Sequence, residues 1–532
     1  MINALKTYFG YTSFREGQKT IIEKILNGND TLGIMPTGAG KSICFQLPSL
    51  MMNGITLVIS PLISLMKDQV TALNQVGIRA AYINSTLSPT QYNKVLQLAA
   101  NYEYKIIYVA PERLLSKDFL DFVNKIKISM VTIDEAHCVS QWGQDFRPSY
   151  MKIPRFIDSL PERPIISAFT ATATVKVKED ILVKLNMNAP YTLVTGFDRE
   201  NLHFAVSKPK DKMAALKAFL KDRKKNSGIV YCSTRKNVED VCEKLKKAGY
   251  SVTRYHAGLP DAERKINQEA FTLDEVSIMV ATNAFGMGID KSNVSFVVHY
   301  NMPKNIESYY QEAGRAGRDG SSADCLLLYS PQDVVMNQFL IDRAGGNEDL
   351  SAKEKKAIKE KDRELLKWMT FYCHSKDCLR AYILKYFGES PERFCGNCSV
   401  CAPMDYSWMT SVANEGDGAE EFAKTARKTK VKKSKYKGDA ASVKTIKIRK
   451  PVKKKKGSSP SIDGALFEKL RSVRLEIAKE QKVPAFIIFS DATLEDMCKK
   501  QPKTKEAFLD VSGVGQTKLL RYGDRFIKAI KG

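Results

Sequence analysis

The chain has 532 residues, 43% of them apolar and 27% charged, with a net charge of +24 at pH 7. That length accommodates about three or four domains, each with a sizeable core. No apolar run approaches the roughly 18 residues of a membrane span and the start of the chain lacks a signal-peptide core, so a membrane partner is excluded; an intracellular location is expected, in the cytoplasm or nucleoid of a bacterium or the nucleus of a eukaryote.

Near the N-terminus, Tyr11, Arg15 and Gln18 lie where a loop enters a helix. An amide such as Gln18 can pair with a donor and an acceptor on adenine together, and Tyr11 offers a stacking face. The stretch Thr31 to Ser42 follows, a short apolar run closing in Pro-Thr-Gly-Ala-Gly-Lys-Ser. With Gly38 and Gly40 free to take positive φ, the backbone from Thr37 can curl its N–H groups around a polyphosphate. Lys41 would then reach the β and γ phosphates and Ser42 would offer its hydroxyl to Mg²⁺. One departure is Met35, where the fuller pattern carries glycine.

Strand-like runs alternate with helix-length segments: Thr56 to Ser60, Ile106 to Ala110, Met130 to Asp134 and Ile165 to Thr170. A polar stretch near Gly196 to Asp211 reads as the break between domains, and the pattern restarts at Gly228 to Ser233, Ser277 to Thr282, Ser295 to Tyr300 and Cys325 to Tyr329. This alternation predicts an α/β protein with two tandem parallel sheets, each covered on both faces. The run Val131 to Ile133 ends in Asp134 and Glu135, placing two carboxylates at the C-terminal edge of a strand, where open parallel sheets bind ligands. Asp134 suits Mg²⁺, and Glu135 suits orienting or deprotonating an attacking water. In the second sheet domain, Arg315 and Arg318 lie three apart in Gln311 to Gly320, so both guanidinium groups can face one cleft and stabilise charge on a γ-phosphoryl group.

Trp142 and Phe146 are bulky aromatics among polar residues close to Glu135, a pattern suited to stacking on bases and sensing nucleotide state. Five cysteines then fall within residues 373–401. In a chain with no export signal they point to metal: Cys395, Cys398 and Cys401 in two CxxC steps, with Cys378 or Cys373 as the fourth zinc ligand. From Lys424 to Lys456 there are 16 Lys/Arg against one acid, Asp439, so this stretch carries +15 of the total +24. It predicts a disordered basic tether for a polyanion such as DNA. Helical periodicity returns after Ile462, and the turn Val511 to Lys518 places two glycines before a helix start, in a form suited to a phosphate.

The set Phe14-Arg15-x-x-Gln18, Pro36 to Ser42, Asp134-Glu135-Ala136-His137, Phe169 to Thr172, Ala281 to Asp290 and Gln311 to Gly320 resembles superfamily 2 helicases. The segment His137 to Pro148 narrows this to a resemblance to the RecQ family of DNA helicases. The resemblance implies two RecA-like domains, ATP, Mg²⁺ and Zn²⁺ as cofactors, DNA single strands and single/double-strand junctions as partner, and movement 3′ to 5′. It favours Cys378 over Cys373 at the zinc, and gives His137, Trp142, Phe146, Arg147 and Asp290 a part in coupling DNA to ATP. It also implies that the C-terminus is a small helical HRDC domain; past Cys401 the family pattern breaks, because only 60 residues, 402–461, much of them Lys-rich, stand where a winged-helix domain of about 100 residues is common, so that domain is expected to be missing. The expected domains are RecA-like domain 1 at 1–200, RecA-like domain 2 at 201–335, a zinc module at 336–402, a basic linker at 403–461 and the HRDC-like domain at 462–532. Rival readings are an RNA helicase, or a nucleic-acid-binding scaffold with a silent ATPase.

Overall fold

The structure, a computed structural model, describes residues 1–143, 145–224, 226–285, 291–343, 352–402, 464–481 and 483–531. The basic linker and Asp290 therefore lie outside the described residues.

The first lobe is a seven-stranded parallel sheet. Its strands are β1 (Thr31–Ile34), β2 (Ile55–Ile59), β3 (Ala80–Ile83), β4 (Ile106–Val109), β5 (Ile128–Ile133), β6 (Ile165–Thr170) and β7 (Tyr191–Val194), in the spatial order β3-β4-β2-β5-β6-β1-β7. Because helices cover both faces, the central strands are continuous apolar runs: every residue of β1, β2 and β4 is buried. The order leaves only β6 between β1 and β5, so the glycine loop after β1 and the two acids after β5 emerge from one sheet edge.

A second parallel sheet comprises β8 (Leu202–Ser207), β9 (Gly228–Tyr231), β10 (Val252–Tyr255), β11 (Ile278–Ala281), β12 (Phe296–His299) and β13 (Ala323–Leu328), in the order β10-β11-β9-β12-β13-β8. The stretch Gly196 to Asp211, expected to be a polar break, holds β8, whose six residues are buried but for Val206. Its apolar side chains Leu202 and Phe204 join the core. The zinc module covers this sheet edge: Ser399 N–H donates to Phe204 O at 2.9 Å, and Asn397 Nδ2 donates to Glu200 O at 2.9 Å. A strand edge capped in this way is closed to other chains.

The terminal helices, Gly464–Gln481 through Gln516–Lys531, enclose their own core around Leu470, Phe489, Phe508 and Phe526. They pack on the first lobe. The Val511 to Lys518 turn, expected to face a phosphate, gives its Gly513 N–H to Gly10 O at 3.0 Å, and Thr517 Oγ1 donates to Val76 O at 3.1 Å. The approach requires glycine: a Cβ on Gly10 would lie 2.4 Å from Val514 N. Among the described residues, no helix is long and apolar enough to cross a membrane.

Asp30, buried just before β1, ties the first sheet together at its other edge. It accepts from Ile166 N at 2.9 Å, Asn188 N at 2.7 Å and Arg163 Nη2 at 2.6 Å. Asp30→Ala leaves those donors unpaired and should destabilise the first lobe by about 3 kcal/mol. The check is a denaturant titration, where an unchanged midpoint would show that the hub carries no stability.

Candidate active site between the two lobes

The glycine loop leaves β1 with Met35 buried in the core and its N–H bound to Thr170 O at 3.0 Å. The position therefore serves the core, and the turn itself is made by Gly38 and Gly40, at φ +86° and +83°. Gly40 has a second reason to be glycine, since a Cβ there would lie 2.5 Å from Gln18 Nε2. Lys41 opens the following helix and its Nζ donates to Met35 O at 3.1 Å and Pro36 O at 3.3 Å.

Gln18 braces the same loop. Its Nε2 donates to Ala39 O at 3.2 Å and Gly40 O at 3.1 Å, while its Oε1 accepts from Arg15 N at 2.8 Å. Arg15 donates to Gly38 O. The amide expected to read adenine is thus engaged with the chain itself, and a base could be read only by exchanging those bonds.

On the other side of β6, Asp134 follows β5 and Glu135 takes a left-handed conformation at φ +48°. This is a costly geometry for a non-glycine residue and is found mostly where function needs it. Burial, then the adjacent Glu135 charge, push the Asp134 carboxyl up. Burial works against ionisation of Glu135 as well, but the His137 hydrogen bond and the charges of His137, Lys41 and Arg315 outweigh it and hold that carboxyl low. The charge balance of the site therefore favours the ionised form of Glu135, while Asp134 beside it is a buried carboxyl that a bound cation would stabilise in its ionised form.

A cleft of about 460 Å³, within the usual range for small-molecule sites, joins these groups. Tyr11, Arg15, Gln18, Thr37, Gly38, Gly40, Lys41, Ser42, Asp134 and Glu135 line it from the first lobe, and Arg315 and Arg318 from the second. Ser512 of the terminal helical domain also reaches its wall. The arginine pair follows the helix Ile306–Ala313. Arg315 is buried with no protein acceptor for its Nε, an orphaned donor on the wall of this cleft.

Gln311 and Arg199 make two of the contacts that join the lobes across this cleft. Gln311 Nε2 donates to Thr172 Oγ1 at 3.0 Å. His137 Nδ1 sits 2.9 Å from Thr170 Oγ1 and 3.3 Å from Glu135 Oε2, and Thr170 Oγ1 donates to Thr172 O at 3.1 Å. A polar chain therefore runs from the Glu135 carboxylate to the second lobe. The other contact is Arg199, which the sequence reading missed. Its guanidinium donates to Thr37 O of the glycine loop and to Ala316 O at 3.1 Å and Gly317 O at 2.8 Å beside the arginine pair. The signal available was Asp198-Arg199-Glu200-Asn201, a charged cluster between two sheet domains.

The aromatic loop lies outside the cleft. Trp142 is 41% exposed and Phe146 is half-buried. Arg147 Nη1 donates to Pro61 O at 2.7 Å, so it anchors the loop to the first lobe. His137, by contrast, touches Glu135 directly.

The four sulfurs of Cys378, Cys395, Cys398 and Cys401 lie within 4.8 Å of one another. Backbone N–H groups of Ala381, Asn397 and Cys401 point at Cys378, Cys395 and Cys398, at 3.3 to 3.4 Å. Burial alone would raise the Cys398 thiol, but the N–H groups of Cys401, Leu379 and Val400 bring it down to about 7. Burial raises the thiols of Cys378, Cys395 and Cys401, and four cysteine sulfurs this close together fit tetrahedral Zn²⁺, which binds them as thiolates. Cys373 is buried apart from it and is no ligand.

Comparison with known proteins agrees with this geometry. The chain matches the DEAD/DEAH box helicase family over residues 15–181, the helicase conserved C-terminal domain over 211–320, the RecQ zinc-binding family over 331–402 and the HRDC domain over 463–530. It is 41% identical over 587 aligned positions to the ATP-dependent DNA helicase RecQ of Bacillus subtilis, covering 99% of this chain and 98% of that one. The chain belongs to the RecQ helicase family. The protein of the same description from Pasteurella multocida is 36% identical, covering 100% of this chain and 93% of the relative. The two-lobed fold also resembles that of S. cerevisiae Dbp5 bound to RNA and ADP BeF3, with a TM-score of 0.52 at 19% identity over 69% of this chain and 96% of that one.

For this RecQ-family zinc module, the geometry separates the two candidate fourth ligands. Cys373→Ser should retain one bound zinc per chain, whereas Cys378→Ser should lose it and lower the thermal stability of the second lobe, whose β8 edge the module covers. Metal analysis with thermal unfolding decides; zinc lost from Cys373→Ser and kept by Cys378→Ser would contradict the assignment.

Proposed function

We propose that this chain is an ATP-dependent DNA helicase that hydrolyses ATP between its two lobes and moves 3′ to 5′ along one strand, unwinding duplexes in repair, recombination or replication. The observation that carries this reading is the shared cleft, with a phosphate loop and two acids on one lobe and two arginines on the other, in a chain similar along its whole length to DNA helicases of the RecQ family. The RNA-helicase alternative has weaker support, because the likeness to an RNA-bound protein is one of fold alone.

In this reading Lys41 exchanges its carbonyl partners for the β and γ phosphates, and Thr37, Gly38 and Gly40 offer N–H groups. Tyr11, Arg15 and Gln18 hold the adenine side. Ser42 and Asp134, a hydroxyl and a carboxylate lining the same cleft, suit Mg²⁺, which when bound neutralises phosphate charge. Glu135, held as a carboxylate, orients the attacking water and takes its proton. Arg315 and Arg318 stabilise the charge that builds on the γ-phosphoryl group. His137, Trp142, Phe146 and Arg147 relay DNA binding to Glu135, and Asp290 takes part from the second lobe.

We assign domains at 1–200, 201–335, 336–402 and 462–532, with the basic segment 403–461 as a DNA tether. The alignment to the Bacillus relative runs 587 positions against 532 residues here, so at least 55 of its positions (587 − 532) are gaps in this chain. We place that shortage after the zinc module and read it as the loss of the family's winged-helix domain. A DNA-acting role sets its place at the chromosome, in nucleoid or nucleus.

Lys41→Ala and Glu135→Gln should each lower DNA-stimulated ATP hydrolysis by about a hundredfold or more. Wild-type protein should displace a strand from a 3′-tailed duplex and fail on the 5′-tailed one; hydrolysis near wild type in either variant, or the opposite polarity, would refute the roles or the direction respectively.

A further inference from the structure

The long zinc-module helix Ala352–His374 runs past the aromatic loop of the first lobe and places Lys361 against it. Lys361 Nζ donates to Gln141 O at 3.0 Å and Gly143 O at 3.3 Å, the two carbonyls flanking Trp142. The ammonium is 5.8 Å from the Trp142 ring centroid, and Lys176 Nζ from the first lobe sits over the same ring at 3.0 Å. Trp142 is therefore exposed while one face of its indole is covered by a cation and its backbone is clasped by another. A base stacking on that face must displace Lys176, and any rotation of the loop must break the Lys361 bonds.

The clasp is connected at both ends. On the loop side, Gly143 packs so closely under His137 that a Cβ would lie 2.4 Å from His137 O, and the His137 ring touches Glu135. On the helix side, Tyr372 OH donates to Tyr309 OH at 3.2 Å, and Tyr386 donates to Glu307. Tyr309 and Glu307 belong to the helix Ile306–Ala313, which leads into the arginine pair. Burial pushes the Lys361 ammonium below the usual lysine range, against the favourable charges of Asp362 and Glu307. A partly desolvated lysine with two backbone acceptors is a fixed strut, unlike a solvated side chain sweeping the surface.

We propose that Lys361 is a positioning residue, a latch by which the zinc module, fixed to the second lobe, parks the aromatic loop of the first lobe in its DNA-free conformation. DNA then activates hydrolysis by releasing the latch, and zinc-module geometry sets how much DNA is needed. This rests on the reading of the chain as a DNA-stimulated ATPase.

The alternative role for a lysine here is an ordinary phosphate contact, and the two predict opposite signs. Steady-state ATPase is measured for wild type, Lys361→Met and Lys361→Arg over a titration of single-stranded oligonucleotide. With the latch removed, Lys361→Met should hydrolyse ATP about fivefold faster without DNA and reach half-maximal stimulation at about fivefold less DNA, the size expected for losing one ordinary net hydrogen bond. Lys361→Arg, which keeps the charge and the donors, should lie near wild type. A phosphate contact would instead leave the DNA-free rate unchanged and raise the DNA requirement in Lys361→Met, which overturns the proposal. Equal behaviour of all three proteins overturns it too, as does a Lys361→Met protein that loses the DNA-free rate. Absence of hydrolysis by wild type would refute the ATPase reading itself and the latch with it.

Discussion

The arrangement depends on one guanidinium. Arg199 leaves the segment joining the two sheets and spans from the glycine loop at Thr37 to the carbonyls at Ala316 and Gly317. A planar fork with five donors can serve two backbones at once, which a lysine at the same place could not do. The position is demanding: burial pushes the Arg199 guanidinium below its usual range, and carbonyl dipoles rather than a carboxylate surround most of it. Beside this bridge, Gln311 to Thr172 is a neutral bond between the arginine segment and the first lobe. Such a bond contributes about 1 kcal/mol, too little to fix the gap between two domains.

Arg199 is itself held by the zinc module. Arg380 donates to Arg199 O at 2.6 Å and Leu202 O at 2.6 Å, and pairs with Asp198. The same module caps the β8 edge through Ser399. Zinc held by the four cysteines would bear on the cleft without touching it: it would fix a short loop, while the loop and the helix Leu379–Tyr386 brace the inter-lobe segment, and that segment braces the loop expected to hold phosphate. The terminal helical domain reaches the cleft from the opposite side, with Ser512 on its wall and Gly513 bonded to Gly10. The cleft is thus framed by four parts of the chain that are far apart in sequence.

The sequence was most legible where burial is complete. The central strands β1, β2, β4, β5, β6, β9, β11, β12 and β13 stand out as apolar runs, while of the four sheet edges β7, β8 and β10 mix in polar residues and β3 is a short Ala-Ala-Tyr-Ile run that lacks β-branched residues but for its last. An edge strand is covered on fewer sides, so its composition carries less signal: β7 and β10 contain no buried residue. β8 is buried, but by a module more than 150 residues later, as its Phe204 to Ser399 bond shows, and no local window contains that fact. The candidate site divides the same way. Lys41, Asp134, Glu135, Arg315 and Arg318 are chemically conspicuous and share one cleft. Arg199 reads as linker until the two lobes are seen to meet across it, and Gln18 reads as a free amide until its three bonds are seen. The fourth cysteine was undecided by spacing alone, and three-dimensional proximity selects Cys378.

The central claim is that catalysis is completed across the gap, by arginine side chains of one lobe acting on a nucleotide held by the other. The most direct measurement is single-turnover ATP hydrolysis by Arg318→Ala with nucleotide affinity determined in parallel. The account predicts affinity within about a fewfold of wild type and a hydrolysis rate lower by about 10³-fold, because charge on the transferring phosphoryl group loses its stabiliser while the first lobe still binds. Hydrolysis near the wild-type rate would contradict it.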